Sequence, residues 1–309
     1  MTLSGIWTPT LVPLNDRGQV NEPELRRFID WLIEAGVQGL FPNGSTGEFI
    51  RFTSEERRWI AAITCDQAMG RVPVIVGCAE ASIKETLNAS EAYRAMGARA
   101  AAVIAPFYYP LSSSSIYEYF RQLGEASTID VMLYNMPRFA NPIDIETVQR
   151  LSSLQRIVGI KDSSGDLTFM MRMIQSISPL RHDFAFLTGW DSQVVAMLLA
   201  GATGGVNATS NVAPQLIRKL YDLTLKGNLE EAHRLQHVVT RLFDLMFQGH
   251  NFPDGFRAGV ETRGFNFGSG RQPTGLPMPD PKVLAMKAEI AKILDDEAKY
   301  ESRITRHDP

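Results

Sequence analysis

A lysine at the end of an apolar run near the middle of the chain is the residue with the clearest chemical potential. Residues 157–160 are apolar or small, Lys161 follows, and polar residues continue to Gly165. This pattern predicts a buried parallel strand that ends in the lysine. Because an ammonium group is costly to bury, the lysine is either paired with a carboxylate at the strand mouth or present as a neutral amine. A neutral amine attacks carbonyls and forms Schiff bases, and burial favours the neutral form.

Polar residues also follow other predicted strands. Ser45, Thr46 and Gly47 lie in a glycine-flanked loop after the second strand, and Tyr134 lies near the end of the fifth. The hydroxyls and the backbone N–H groups around Gly47 are suited to hold a carboxylate, because glycine permits a close backbone approach. A tyrosine hydroxyl can transfer protons. The other candidate residues at strand ends are Thr8, Tyr108, Gly189, Asp191 and Val206.

Together these residue types suit a reaction of a 2-oxo acid. Lys161 can form an imine at the 2-oxo group, and the imine withdraws electrons from the adjacent carbon, where a C–C bond breaks or forms. Ser45 and Thr46 would hold the carboxylate, and Tyr134 would transfer protons. This chemistry requires no metal and no other cofactor, and the sequence has no His, Cys and Asp cluster with ligand spacing.

These side chains can meet only if the strand ends converge. Strand and helix patterns alternate eight times between Gly5 and Lys226, which predicts a closed (β/α)8 barrel, or TIM barrel, of the α/β class. The alternative, an open doubly wound sheet, lacks a GxGxxG motif after its first strand. We therefore expect a catalytic barrel over residues 1–226 and a helical C-terminal extension over residues 227–309 that packs on it.

Composition restricts the partners and the compartment. The 309 residues carry a formal net charge of −3, without the concentrated basic face that nucleic-acid or membrane binding needs. The two cysteines, Cys65 and Cys78, lie in apolar surroundings without zinc or CxxC spacing, which favours a reduced cytoplasmic protein. No apolar run is long enough to span a bilayer, and we expect no leader segment.

Three motifs resemble a known family. Residues 44–48 are Gly-Ser-Thr-Gly-Glu, residues 134–137 are Tyr-Asn-Met-Pro, and residues 159–163 are Gly-Ile-Lys-Asp-Ser. They resemble the signatures of the dihydrodipicolinate synthase/N-acetylneuraminate lyase family, which comprises class I, pyruvate-dependent aldolases and lyases on (β/α)8 barrels with a helical extension. The resemblance covers nearly the whole chain and includes Gly-Trp-Asp at 189–191 and Gly-Gly-Val at 204–206.

The resemblance implies a role for each motif residue. Lys161 would be the Schiff-base residue and Tyr134 the proton relay, while Ser45 and Thr46 would bind the carboxylate of pyruvate. Tyr108 resembles the family tyrosine that reaches into the site of a neighbouring subunit. A homo-oligomer is therefore implied, at least a dimer and commonly a tetramer built as a dimer of dimers.

The resemblance does not extend to one particular substrate. Lysine-pathway synthases carry an arginine five residues after the relay tyrosine. Here that position is Phe139, and Arg138 is one step away, which in an extended segment would redirect its side chain. Neuraminate lyases carry an acidic residue and a serine where this chain has Ser192 and Ala208. With Asp191 retained, the pattern is more similar to aldolases of 2-keto-3-deoxy sugar acids. Asp191 would either accept hydrogen bonds from substrate hydroxyls or cap the helix that follows.

The sequence thus predicts a Schiff-base-forming lyase that breaks or forms a C–C bond between pyruvate and an aldehyde, with a 2-keto-3-deoxy sugar acid as its first candidate substrate. One alternative is a 4-hydroxy-tetrahydrodipicolinate synthase that condenses pyruvate with aspartate semialdehyde. Another is a barrel that binds 2-oxo acids without turnover. We expect Thr8, Phe139, Gly189 and Val206 to line the substrate site.

Overall fold

Eight parallel strands form the centre of the molecule. The computed structural model describes residues 3–247, 251–271 and 280–304. The strands are β1 (Gly5–Thr8), β2 (Gly39–Leu40), β3 (Ile75–Gly77), β4 (Ala100–Ile104), β5 (Asp130–Asn135), β6 (Ile157–Asp162), β7 (Ala185–Thr188) and β8 (Gly204–Val206). They pair in the order β2-β1-β8-β7-β6-β5-β4-β3, and a parallel bridge from Leu40 to Val74 joins β2 to β3. The predicted (β/α)8 barrel is confirmed.

One helix follows each strand. The eight helices are α1 (Glu22–Glu34), α2 (Ser54–Ala68), α3 (Ile83–Ala95), α4 (Ser113–Ala126), α5 (Ile145–Leu151), α6 (Leu167–Ile177), α7 (Val194–Leu199) and α8 (Pro214–Leu225). Several begin at a side-chain cap, and Thr53 and Glu56 form a reciprocal capping box at α2. Such caps satisfy backbone N–H groups that a helix start would otherwise leave without partners.

The core has two main layers. A large cluster of buried apolar residues fills the space between the strands and the helices. A smaller cluster, which includes Trp7, Phe41, Met132 and Val206, fills the barrel interior. A filled interior forces ligands to the rim, and in this fold functional side chains lie where the strands end.

Three further helices follow the barrel. They are α9 (Leu229–Phe247), α10 (Asp254–Glu261) and α11 (Pro281–Ile304). The sequence analysis did not predict α10, because glycine is a poor helix former and Gly255 and Gly259 both lie in it. A Cβ atom at Gly255 would lie 2.0 Å from the carbonyl oxygen of Met246, and one at Gly259 would lie 2.8 Å from a methyl group of Val212. The glycines therefore allow α10 to pack closely on its neighbours.

Within the described residues, no helix is both long and apolar enough to cross a membrane.

Candidate active site

Lys161 lies in a buried, aromatic environment near the end of β6. Its side chain is 4% exposed, and Nζ lies 4.1 Å from the ring centroid of Tyr134 and 4.5 Å from that of Phe41. No carboxylate in the described part of the chain lies within ion-pair distance of Nζ. The structure therefore does not show the pairing of Lys161 with a carboxylate, which was one of the two arrangements expected from the sequence. The strand continues one residue beyond the expected end, to Asp162. The lysine amine therefore stands free inside an enclosed site.

Tyr134 connects the lysine to the loop after β2. The register of β5 and β6 places its Cα opposite that of Lys161, and its hydroxyl lies 3.1 Å from Oγ of Ser45. Its ring is buried and packs edge-on against Phe41, with 6.3 Å between the ring centroids. The lysine amine thus lies over the Tyr134 ring, and the hydroxyl of that ring contacts the serine hydroxyl.

The loop after β2 presents backbone donors beside this group. In the described residues, no protein acceptor takes the N–H groups of Ser45, Thr46 or Gly47. Gly47 has no room for a side chain, since a Cβ atom there would lie 2.7 Å from the carbonyl oxygen of Thr10. Successive unpaired N–H groups form a concavity that suits anions. The loop is thus equipped to hold a carboxylate.

A buried ion pair fixes the end of this loop, and sequence reasoning missed it. Glu48 is 4% exposed, and its two carboxylate oxygens lie 2.9 Å from Arg257 and 2.6 Å from Arg51. Arg257 comes from α10, is 3% exposed and also donates to the carbonyl oxygen of Val12 at 2.9 Å. Burial lowers the pKa of Arg257, and the Glu48 carboxylate opposes that shift. The C-terminal extension thus contacts the end of the loop after β2.

Arg257→Met is expected to destabilise the protein by about 3 kcal/mol, because it leaves a buried carboxylate with only part of its compensation. Arg257→Lys should recover part of that loss. The free energy of unfolding in urea measures both effects. Arg263→Met, at an exposed position close by in the chain, is the control. If the Arg257→Met and Arg263→Met variants are equally stable, the ion pair between Glu48 and Arg257 does not stabilise the fold.

Gly189 borders the lysine on the β7 side. A Cβ atom at Gly189 would lie 3.2 Å from Cε of Lys161 and 2.0 Å from Oγ of Ser163. The absence of a side chain here therefore leaves space for the lysine. Of the other expected lining residues, Val206 is 2% exposed in the barrel interior, and Thr8 is fully buried and accepts a hydrogen bond from Ser210 at 2.8 Å.

Asp191 has neither of the two roles expected from the sequence, which were binding of substrate hydroxyls and capping of the next helix. It is fully buried, and its oxygens accept hydrogen bonds from the Asn207 side chain at 3.2 Å and the N–H groups of Ala208 at 3.2 Å and Thr209 at 2.6 Å. Burial raises the pKa of Asp191, and these hydrogen bonds oppose the shift. The assignment of Asp191 to substrate hydroxyls is therefore corrected, because its oxygens are enclosed and engaged. Nor does it cap α7, which begins without a side-chain cap. Asp191 instead ties β7 to the turn after β8.

A cavity of about 530 Å³ opens beside Ser45, and both Arg138 and Phe139 line it. The sequence argument that one step redirects the arginine applies to an extended segment. Here the N–H groups of Phe139 and Ala140 both donate to the carbonyl oxygen of Met136, at 2.9 and 3.0 Å, so the segment turns. Arg138 stacks over Phe247, with its guanidinium carbon 5.0 Å from the ring centroid. A cation therefore does stand at the cavity wall.

Tyr108 lies on the exposed surface of the single chain. It is 82% exposed, and its ring packs edge-on against Tyr109 at 4.8 Å between centroids. Phe107 and Leu111 beside it are each 38% exposed. A run of exposed aromatic and apolar residues is typical of an interaction surface.

A closed (β/α)8 barrel with a buried lysine at the end of a strand is the arrangement found in imine-forming aldolases. The chain is a member of the Dihydrodipicolinate synthetase family, with a match over residues 2–293. It is thus an enzyme, a pyruvate-dependent lyase of the class I aldolase type.

Individual relatives agree with this assignment. A 4-hydroxy-tetrahydrodipicolinate synthase from Gluconacetobacter diazotrophicus is 33% identical over 245 residues, 79% of this chain and 82% of that protein. The structure of YagE from E. coli K12 in complex with pyruvate, a prophage protein of the dihydrodipicolinic acid synthase family, has a TM-score of 0.89. It is 29% identical and covers 94% of this chain and 98% of its own. CdNal from Clostridium difficile, solved with mannosamine, has a TM-score of 0.87 at 23% identity, with 94% of this chain and 99% of that chain covered, which supports the fold alone.

Proposed function

We propose that this chain cleaves 4-hydroxy-2-oxo acids reversibly into pyruvate and an aldehyde through an imine on Lys161. The observation that carries the proposal is the contact series from the Lys161 amine, across the Tyr134 ring, to Ser45. This series supports the proposal because the reaction needs a nucleophile and a proton carrier close together. A barrel that only binds 2-oxo acids has no need of the proton carrier.

Cleavage would begin with formation of the imine. The Lys161 amine adds to the 2-oxo carbon and water leaves, which gives the imine. The imine nitrogen is protonated. Tyr134 takes the proton of the 4-hydroxyl while its own hydroxyl proton passes to Ser45, with which it shares a hydrogen bond. The bond between C3 and C4 breaks, and its electron pair moves into the protonated imine to give a neutral enamine. The aldehyde departs, C3 takes a proton, and water then hydrolyses the imine to release pyruvate. Condensation follows the same steps in reverse.

The loop after β2 would hold the substrate carboxylate during these steps. The N–H groups of Ser45, Thr46 and Gly47 lack protein acceptors in the described residues. Donors from successive residues would fix the orientation of the carboxylate as well as its position. Gly189 and Val206 would border the three-carbon unit, and Thr8 would support the floor through its hydrogen bond with Ser210.

Two aldehydes compete as the natural partner of pyruvate. The presence of Phe139 where the synthases have an arginine supports a sugar-acid aldehyde. Asp191 gives this candidate no support, because its carboxylate is buried and engaged. Aspartate semialdehyde is supported by the names of several relatives and by Arg138, which lines the cavity. An exposed arginine can bind a carboxylate in a bidentate manner.

We expect cleavage of a hydroxylated 2-oxo acid to show a higher kcat/KM than condensation of pyruvate with aspartate semialdehyde. The reason is that the arginine of the synthases is replaced at its own position by Phe139. Both rates are measured on one preparation, with Arg138→Met as the matched variant. The contrary outcome is that condensation proves faster by tenfold, which is about 1.4 kcal/mol in transition-state binding, and is lost in Arg138→Met. In that case the enzyme is a synthase that uses aspartate semialdehyde, and the sugar-acid assignment is wrong.

We also propose that Tyr108 completes the site of a neighbouring subunit in a homo-oligomer, and that the site would be incomplete in a monomer. Its exposure of 82% in the single chain supports this proposal. In an isologous dimer each chain supplies its tyrosine to the other. A dimer of dimers is the assembly that the resemblance to the family implies.

Mixing two inactive variants tests the exchange of Tyr108. Lys161→Ala and Tyr108→Phe chains are each expected to have little activity. Refolded together in equal amounts, they should recover roughly a quarter of wild-type sites, since half of randomly formed dimers are mixed and each has one complete site. Activity that stays at the level of the separate variants would assign Tyr108 to its own chain or to no catalytic role.

The reducing cytoplasm is the compartment that we propose. Both cysteines are free, and burial raises the pKa of Cys65 to about 11. Thiols protected in this way suit a reducing environment.

A further inference from the structure

The cavity beside Ser45 is placed to receive the part of the substrate that lies beyond the reacting carbon. Ser45 lines it, and the Ser45 hydroxyl contacts Tyr134 at 3.1 Å. A substrate bound to Lys161 with its hydroxyl at Tyr134 would extend its remaining atoms into this space. A volume of about 530 Å³ falls within the range of small-molecule sites.

The walls of this cavity are predominantly apolar. Seven of the lining side chains are aromatic or aliphatic and come from four separate segments: Phe49, Ile50, Ile104, Phe107, Phe139, Phe252 and Pro253. One wall is held in place by packing. The Phe252 ring lies 6.2 Å from Phe139, 5.8 Å from Phe247 and 6.0 Å from Phe256 between centroids. Aromatic clusters of this kind present a preformed surface.

Four polar side chains line this cavity: Ser45, Glu48, Arg51 and Arg138. The first three are engaged in polar contacts, and Arg138 stacks over the Phe247 ring. Glu48 pairs with Arg51 and Arg257 at 2.6 and 2.9 Å, and the Ser45 hydroxyl contacts Tyr134. Asp191, the carboxylate expected to receive substrate hydroxyls, is fully buried elsewhere. A polyhydroxylated chain would therefore exchange water for aromatic rings, with only the Arg138 guanidinium to replace the hydrogen bonds that it loses.

We propose that the aldehyde handled by this enzyme carries an apolar substituent, alkyl or aryl, which Phe139 and Phe252 contact. The inference rests on the proposed function, and it narrows the substrate to 4-hydroxy-2-oxo acids without further hydroxyls beyond C4. An apolar group gains from burial against these rings in proportion to the area removed from water. Phe139 thus sets specificity as a contact surface, in addition to lacking the charge of an arginine.

The test compares two aldehydes with equal numbers of non-hydrogen atoms, pentanal and D-glyceraldehyde, in condensation with pyruvate. Aldol product is quantified by chromatography, and trapping of pyruvate on Lys161 with borohydride is measured in parallel. We expect kcat/KM for pentanal to exceed that for D-glyceraldehyde by at least about tenfold. Phe139→Asn should lower the pentanal value by about tenfold and leave pyruvate trapping unchanged. Trp59→Asn, a partly exposed aromatic outside the cavity, should leave the ratio unaltered.

The outcomes separate this inference from the proposed function. One contrary result is that pyruvate is trapped on Lys161 while D-glyceraldehyde is preferred, and another is that Phe139→Asn leaves the ratio of the two kcat/KM values unchanged. Either result contradicts the proposed apolar substituent and leaves the imine mechanism intact. If no pyruvate is trapped on Lys161, the proposed function fails and this inference fails with it.

Discussion

Lys161→Ala is expected to abolish covalent capture of pyruvate and to reduce turnover to the uncatalysed background. Lys161 is the only amine that the structure places between Phe41 and Tyr134, and no other described side chain at that point can form an imine. In the wild-type protein, pyruvate with borohydride should add a reduced pyruvyl mass to the peptide that contains Lys161. Peptide mass spectrometry measures that label directly.

Loss of the label must be distinguished from loss of the fold. Lys161 makes no ion pair with a described residue, so alanine removes ring contacts but leaves no polar partner unsatisfied. We therefore expect a folded variant with an unchanged circular dichroism spectrum. Lys84→Ala, at an exposed position on α3, should retain both label and turnover. Labelling of another lysine in the wild type would overturn the assignment.

Tyr134→Phe is expected to lower kcat by about two to four orders of magnitude, the usual contribution of a general acid–base group. The substitution removes the hydroxyl that lies 3.1 Å from Ser45 and keeps the ring that packs on Phe41. Because the lysine environment is preserved, pyruvate should still be trapped on Lys161, although more slowly. Single-turnover measurements separate imine formation from C–C cleavage.

A matched control shows whether the loss of any hydroxyl has this effect. Tyr117→Phe removes a phenol from α4, where the ring stacks under Arg150 at 3.7 Å. This variant should keep wild-type turnover and stability. Wild-type kcat in Tyr134→Phe would exclude this tyrosine from proton transfer and leave it a purely structural role.

Much of the fold was predictable because it depends on local patterns. Asn21, Thr53, Ser82 and Asp144 are of residue types that favour the N-cap position, and each side chain accepts a hydrogen bond at the start of its helix. Convergence of Lys161 and Tyr134 followed from the barrel alone, since neighbouring parallel strands end on the same face. The register that places them side by side is a direct result of that topology.

Long-range polar contacts were not predictable from one sequence. The side chain of Asp191 reaches Thr209, and that of Arg257 reaches Glu48, and no spacing rule connects either pair. Helix α10 was missed because its glycines reflect close packing against Met246 rather than chain flexibility. Arg138 was misjudged because the direction of its side chain depends on a turn at Met136. In each case tertiary geometry decided between equally plausible local arrangements.

The ion pair between Glu48 and Arg257 also sets the order in which a newly synthesised chain becomes competent. Glu48 leaves the ribosome 209 residues before Arg257, an interval of roughly 10–40 s at ordinary elongation rates. During that time the chain contains Arg51, the first partner of Glu48, but not the second. The loop after β2 therefore receives its second arginine only late in translation, after all eight strands of the barrel have been synthesised.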